Sequence, residues 1–553
     1  MTTAVASQRE RVERPPIRRR TVNQTLSAAT HVSEGFADYV FRILDGRPQG
    51  GAPSVTEDPV AVVRHAAASR RLRLGREIAC CLIAAAVICA GIGRLSYPLG
   101  FRPAVAAVAL LIAVCTGRRM LTRRLKAVVG WAWRSKRDRR RSGPLRWIAC
   151  LGLATMLALT LVLSQAALWD CAAMVLFGLV IGGVVVITES AVAHRRAAAI
   201  VAEGSPEPRD LAPAVHRPFE QRIEGLTGAN VVVYSEERAS APFVGNGLVV
   251  RPWKLDIDVH RRPRDATDDS FEMFDVVAFH EWLEGQFIVE TAVASTASRQ
   301  LTAGHRIYVD GRKVAWDSPL VADGRPLPHV DWEYLAEELR HPERADDQRV
   351  YFYLQEICRD GEIGVCTFVR PLLQGGSLSI EFVPLVIPPV HPDVEALVAD
   401  LPLNLRDQIG RAIRLWTLRI PTAVFGSPVR CARRVLEWGA RQSARVHWRL
   451  AVRCRWFYDL GAVMSVREGV SWRTPEEFDH FAIRDLIRIN DQLRDRLVTS
   501  IKTYLEAHGI DPDQLEAAVT INQIQNWNVG NVRADMVGFG NNNTFGNPGR
   551  GEG

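Results

Sequence analysis

Four apolar runs fall within residues 78–188: Ile78–Gly93 (IACCLIAAAVICAGIG), Pro103–Gly117 (PAVAAVALLIAVCTG), Trp147–Leu163 (WIACLGLATMLALTLVL) and Cys171–Ile187 (CAAMVLFGLVIGGVVVI). A helix needs about 20 apolar residues, and no fewer than about 17, to cross a hydrocarbon core of roughly 30 Å. Runs three and four reach that length if the spans are Trp147–Ala167 and Cys171–Thr188. Run one stops at Arg94, and run two follows Arg102. Both reach full length if those arginines snorkel to the interface along Leu95–Phe101; otherwise the pair is a re-entrant hairpin.

Loop charge sets the expected orientation. Between runs two and three lie Arg118, Arg119, Arg123, Arg124, Lys126, Arg134, Lys136, Arg137, Arg139, Arg140, Arg141 and Arg146, against the single acid Asp138. Arg70, Arg71, Arg73 and Arg76 precede run one, and His194, Arg195 and Arg196 follow run four. The positive-inside rule then gives four transmembrane α-helices in an inner membrane, multi-pass, with both termini cytoplasmic. Trp147 and Trp169 mark the two ends of span three. Gly152, Gly178, Gly182 and Gly183 allow close helix packing. The spans hold almost no ionisable group, which disfavours a transporter and reads as an anchor. A channel formed by oligomers is the lesser reading.

Of the ten cysteines, Cys80, Cys81, Cys89, Cys115, Cys150 and Cys171 lie in or beside the runs. Cys358, Cys366, Cys431 and Cys454 lack CxxC spacing, so neither a disulfide framework nor a zinc site is indicated. A reducing cytoplasm fits the second half of the chain.

The N-terminal segment, residues 1–57, is polar and Arg-rich without a signal-peptide core, and carries one short helix over His31–Leu44. Asp58-Pro59 opens a basic juxtamembrane helix, residues 58–77. That helix either lies on anionic lipid or serves only as a topology signal. The membrane domain covers 78–190. Residues 205–390 read as a cytoplasmic α+β domain with a mainly antiparallel sheet. Its strands are Asn230–Tyr234, Leu255–Val259, Val350–Leu354, Val365–Val369 and Leu378–Leu385, with a helix in Asp275–Val289 and a hairpin through Asp310-Gly311. Residues 391–519 form a basic helical C-terminal region, in which Thr474-Pro475-Glu476-Glu477 starts a helix and His508-Gly509 ends it. Residues 520–553 are a Gly/Asn-rich tail.

Val60–Glu77 (VAVVRHAAASRRLRLGRE), Asn230–Gly247 (NVVVY…PFVGNG) and Tyr504–Asp511 (YLEAHGID) carry a resemblance to a group of uncharacterised bacterial multi-pass membrane proteins. The resemblance implies the same order of parts: basic helix, spans, α+β module, helical end and Gly-rich tail. It implies no activity.

Motifs for chemistry are sparse. His280-Glu281-Trp282-Leu283-Glu284 departs from HExxH zinc proteases at its last position, and a solvated helix face explains it as well. Gly245-x-Gly247 lacks the third glycine and downstream acid of a dinucleotide fold, and no GxxxxGK[ST] loop occurs. Asp256, Asp258 and His260 share one strand face, as an exposed polar face would. No cofactor or metal is therefore indicated.

Arg430, Arg433, Arg434, Arg441, Arg445 and Arg449, interleaved with Trp438 and Trp448, form a candidate membrane-surface face for an anionic inner leaflet. Nucleic-acid phosphates are the less favoured partner, because the module already sits beside a membrane. A face merely solvated or paired with acids is the third reading. In the tail, Val537-Gly538-Phe539-Gly540-Asn541-Asn542-Asn543 resembles RHIM-like amyloid signalling motifs, with Gly538 where glutamine is usual. The resemblance implies that Val537 and Phe539 fill a dry zipper, Gly540 turns and Asn543 forms a ladder. The alternative is a disordered tail.

The sequence thus leads to a membrane-anchored, non-enzymatic signalling or effector protein. It is expected to be a homo-oligomer assembling through its tail, or to meet a protein partner there. The alternative is a membrane-surface enzyme whose site gathers His280, Glu281, His305 or Asp256.

Overall fold

Thr21 and Asp58 start the N-terminal helices through their side chains. Thr21 Oγ1 accepts from the Gln24 amide, and Gln24 Oε1 accepts in return from the Thr21 amide, both at 3.2 Å. Two helices follow, α1 (Val22–Val32) and α2 (Glu34–Leu44), where one was expected over His31–Leu44. Asp58 Oδ1 then accepts from Val60 N at 2.9 Å and Ala61 N at 3.2 Å, opening α3 (Pro59–Leu99). The computed structural model of the chain describes residues 20–44, 49–99, 166–259, 274–294, 299–341, 348–374, 376–399, 401, 410, 420–471 and 479–515. They divide into two units: residues 1–70, 195–402 and 444–553, and residues 71–194 with 403–443.

The remaining helices are α4 (Ala166–Val201), α5 (Pro208–Leu211), α6 (Arg217–Glu224), α7 (Val276–Ala294), α8 (Trp332–Arg340), α9 (Pro392–Ala399), α10 (Ile420–Phe425), α11 (Ser427–Cys454), α12 (Val466–Val470) and α13 (His480–Ala507). The strands are β1 (Val231–Tyr234), β2 (Leu248–Val249), β3 (Trp253–Asp258), β4 (Arg299–Asp310), β5 (Val321–Ala322), β6 (Arg325–Pro326), β7 (Gln348–Cys358), β8 (Ile363–Gln374) and β9 (Ser377–Ile387).

This overturns the expected fold of four transmembrane helices plus a mainly antiparallel α+β domain. The chain is mostly helical, and among the described residues one helix, Ala172–Val201, is long and apolar enough to cross a membrane. Run one is no separate span. Its 16 apolar residues fall short of the roughly 20 needed, and they continue a 41-residue helix whose first turns, Val60–Ala68, are largely buried in protein. Runs two and three lie outside the described residues.

The sheet is mixed and curls into a half-barrel. Its order is β1-β4-β7-β8-β9-β2, with β3 also pairing β9. β1 runs parallel to β4, with Val231 opposite Ile307, and the other pairs are antiparallel. The two-residue period of a strand sends alternate side chains to opposite faces, and here both faces are buried. Phe352, Leu354, Val365, Val369, Ile380 and Phe382 face α7 and α13. α13 buries Leu486, Ile489, Leu493, Leu497 and Ile501 at helical spacing. The opposite face gathers Phe243, Tyr308, Tyr351, Cys366 and Phe368.

Arg306 lies inside that aromatic set, 2% exposed. Its Nε donates to Ala229 O at 3.0 Å, its guanidinium donates to Asn246 Oδ1, and it sits 4.4 Å over the Tyr353 ring. Asn246 Nδ2 also donates to Tyr308 Oη at 2.9 Å. This accounts for the Gly245-x-Gly247 motif. Gly245 (φ +89°) and Gly247 (φ +99°) aim Asn246 inward, and a Cβ at Gly245 would meet Pro53 O at 2.5 Å.

The expected hairpin at Asp310-Gly311 is also corrected. No strand follows β4 there, because β4 already pairs β1 on one side and β7 on the other. The hairpin instead is β5–β6, whose turn residues Asp323 (φ +52°) and Gly324 (φ +72°) both take the left-handed conformation of a type I′ turn.

In the unit of residues 71–194 and 403–443, Cys80, Val186, Ile420 and Val424 form the apolar core. Beside it lies a charge cluster. Glu77 is fully buried, with Arg434 Nε at 2.9 Å, Arg76 Nη2 at 3.6 Å and Arg430 Nε at 3.7 Å. Arg76 also reaches Glu189 at 3.1 Å. Cys81 Sγ lies 3.4 Å from Cys431 Sγ, both as free thiols.

Candidate functional site

α7 packs on β4, and α8 packs on α7. This brings together residues 25 or more positions apart in sequence. His280 of α7 is fully buried, and His305 of β4 is 8% exposed. Their ring centroids are 5.2 Å apart. Trp332, the first residue of α8, covers His305 at 4.3 Å and donates its indole N–H to Glu281 Oε1 at 3.0 Å. Glu284, one turn after His280, brings Oε2 to 3.8 Å from His305 Nδ1.

Both ring nitrogens of His280, and Nε2 of His305, have no hydrogen-bond partner among the described residues. Burial drives the His280 pKa well below the imidazole range, and the neighbouring His305 adds to this. Burial also lowers His305 to about 4, against a backbone hydrogen bond to His280 that favours its charged form. Both rings are therefore neutral at pH 7, and the 3.8 Å approach of Glu284 is not an ion pair. Glu284 is itself pushed up by burial and by Glu281. Two neutral imidazoles and a carboxyl can accept and pass a proton. The two rings are enclosed, whereas the Glu284 side chain is 40% exposed.

Of the residues considered for a surface enzyme, the structure brings together His280, Glu281 and His305. It does not bring Asp256, which lies on β3 at the far side of β9 and pairs with Lys254 at 3.3 Å. Asp258 is also exposed on β3, and His260 is outside the described residues. No group of three or more His, Cys, Asp or Glu among the described residues is placed to hold a metal ion.

The basic residues of α11 divide among several roles. Arg430 and Arg434 reach Glu77, and Arg430 also donates to Thr422 O at 3.0 Å. Arg433 pairs with Glu437 at 2.8 Å. Trp438 is 62% exposed, Arg441 is half-buried, and Arg445 and Arg449 are exposed. Trp448 lies under the guanidinium of Arg325. Val537, Phe539, Gly540 and Asn543 of the tail lie outside the described residues.

Sequence reasoning missed three features. One is Trp332, whose only signal was its place after Asp331 at a helix start. Another is Glu77, the lone acid among the arginines of RRLRLGRE. The third is a cavity of about 540 Å³, lined in part by Tyr39, Arg42, Glu57, Arg222, Arg325 and Asp459. Asp459 holds one wall in place, accepting from Ser235 Oγ at 2.7 Å and from Gly461 N at 2.8 Å. Burial and the nearby carboxylates of Glu468 and Glu57 push the Tyr39 phenol up, keeping it neutral.

Residues 252–539, just over half of the chain, match the AbeC-like domain. That span holds β3 to β9, both histidines, the basic helix and α13. It leaves out β1, β2 and the Gly245-Asn246-Gly247 turn that complete the sheet. No curated protein and no solved structure matches the chain.

Proposed function

The chain belongs to the AbeC-like domain family, and from that premise we propose a membrane-anchored, non-enzymatic signalling or effector protein whose soluble module and tail mediate protein–protein contact or self-assembly at the inner membrane. The observation that carries this reading is α4. Leu176, Phe177, Val180, Ile181 and Val184 are all exposed on a helix apolar over Ala172–Val201. Leaving such a face in water costs about 25 cal/mol per Å², and lipid removes that cost. His194, Arg195 and Arg196 near the end of this helix favour a cytoplasmic side for the domain that follows. The free cysteines among the described residues accord with a reducing compartment.

Arg433, Arg449 and Trp438, exposed on α11, are proposed to meet the anionic leaflet. The tail is proposed to join copies of the chain, or a protein partner, with Val537 and Phe539 packed in a zipper, Gly540 at the turn and Asn543 in a ladder. Fluorescently tagged full chain is expected to cluster at the membrane. Deleting residues 527–545 is expected to abolish the clusters while the protein still resists alkaline extraction. Clusters that survive the deletion would sink the assembly reading. Release by alkali would sink the anchor.

A membrane-surface enzyme is the second reading, favoured by the convergence of His280, Glu281 and His305. Diethyl pyrocarbonate separates the two, because it acylates accessible neutral imidazole. A sealed pair is expected to stay unmodified until the chain unfolds. Rapid modification of His280 or His305 in the native protein would bring the enzyme reading forward.

A further inference from the structure

The β5–β6 hairpin and one face of α11 build a polar site around Arg325, which the membrane-surface reading of α11 does not include. Arg445, Trp448 and Val452 recur at i, i+3 and i+7, so they share one helix face. The hairpin tip rests on that face: a Cβ at Gly324 would meet Val452 Cγ2 at 2.6 Å. The left-handed turn at Asp323-Gly324 then carries Arg325 over Trp448, with the guanidinium 4.6 Å from the ring centroid.

The hydrogen-bond inventory of this pair is incomplete. Arg325 Nε and Trp448 Nε1 are both buried donors without an acceptor among the described residues. Buried N–H groups are ordinarily satisfied, and leaving one unmade is costly. Burial lowers the Arg325 pKa, and the adjacent charge of Arg445 lowers it further, while Asp323 acts the other way. The Arg325 guanidinium and the Trp448 indole N–H thus meet at the hairpin tip, with Arg445 one turn before Trp448 on the same helix face.

We propose that Arg325, Arg445 and Trp448 bind a phosphate group. A tetrahedral oxyanion has enough lone pairs to accept from the guanidinium Nε and the indole N–H together, and its charge separates the two arginines. Arg325 also lines the 540 Å³ cavity. The same lining includes Glu57, Glu237 and Asp459, together with Arg42 and Arg222. These carboxylates suit a remainder of the ligand that carries donors, hydroxyl or ammonium. A phosphorylated polyol and a phospholipid headgroup share this chemistry. The site stands on the hairpin and α11 alone, and does not depend on α4 entering a membrane.

Isothermal titration of the full chain in non-ionic detergent tests it. The probes are inorganic phosphate, glycerol 3-phosphate and a soluble short-chain phosphatidylglycerol, in roughly 0.15 M chloride to screen diffuse attraction. Saturable binding is expected, weakened about tenfold or more by Arg325→Gln and by Arg445→Gln, as hydrogen bonds to charged groups require. Trp448→Phe keeps the ring under Arg325 and removes only the donor, so it is expected to weaken binding several-fold with the fold intact. Binding of glycerol 3-phosphate as tight as the lipid identifies a free phosphate ligand. Binding of the lipid alone identifies a headgroup. Absence of saturation with all three probes, or unchanged binding in Arg325→Gln and Trp448→Phe, overturns the proposal.

Discussion

Acidification from pH 7 to pH 4 is expected to destabilise the folded chain by about 3 kcal/mol through His305 alone, with His280 adding to the loss. The native fold holds His305 neutral down to a pKa of about 4. In the unfolded chain the same imidazole takes a proton near the ordinary value of about 6.5. Between those values the unfolded state binds more protons than the native one, so stability rises with pH across this window. The histidine contribution is intact above about 6.5 and fades as the pH falls towards about 4. Glu284 acts in the opposite sense. Its raised native pKa means that the native state binds its proton more readily, which partly offsets the loss on acidification. Among the described residues, the other groups facing the pair do not relieve it: Trp332 and Phe352 are neutral, and Glu281 is engaged by the Trp332 indole. Urea midpoints at pH 7, 5.5 and 4.5 measure the slope. His305→Asn should flatten it relative to the parent, whatever it does to the midpoint at pH 7. Parallel slopes in the two proteins would remove the histidine pair as the cause.

The second large effect lies at Glu77. A fully buried carboxylate among Arg76, Arg430 and Arg434 holds three guanidinium groups in place. Replacing it by glutamine keeps the volume and removes the charge. Glu189 remains within reach of Arg76, but Arg434 loses its 2.9 Å partner. Breaking one side of a buried ion pair typically costs about 3–5 kcal/mol, because the remaining charge stays desolvated. Glu77→Gln should therefore lower the thermal midpoint of the detergent-solubilised protein sharply. The double variant Glu77→Gln with Arg434→Gln should cost less than the sum of the two single variants, since the two side chains form one pair. A single variant within about 1 kcal/mol of the parent would show that water reaches the cluster and that burial is not the controlling term.

The strands of the sheet were legible because β-branched and aromatic residues alternate along them, as in Val350–Leu354 and Leu378–Leu385. The C-terminal helix was legible from its three- and four-residue spacing and from the His508-Gly509 stop. Pairing was not. Asp310-Gly311 and Asp323-Gly324 are the same dipeptide, and only the second turns a hairpin. The difference lies in what each strand already pairs with, which local sequence does not state. The same limit applies to the membrane block. Composition alone equates Ile78–Gly93 with a span, yet it is one stretch of a 41-residue helix already anchored in protein. The histidine cluster was half legible. His280, Glu281 and His305 were candidates, but Trp332 joins them only because α8 folds back on α7.

The cover of the sheet has a consequence for synthesis. The outer face of β7, β8 and β9 is closed by α13, whose apolar residues belong to the same core. The ribosome completes β9 at Ile387 but releases Leu515 only roughly 130 residues later, about 6–25 s at ordinary elongation rates. Throughout that interval this face of the nascent sheet has α7 but not α13 to cover it. α4 emerges well before either. If it enters lipid on emergence, the half-covered sheet waits as a tethered intermediate, held beside the bilayer and away from other nascent chains until its last helix arrives.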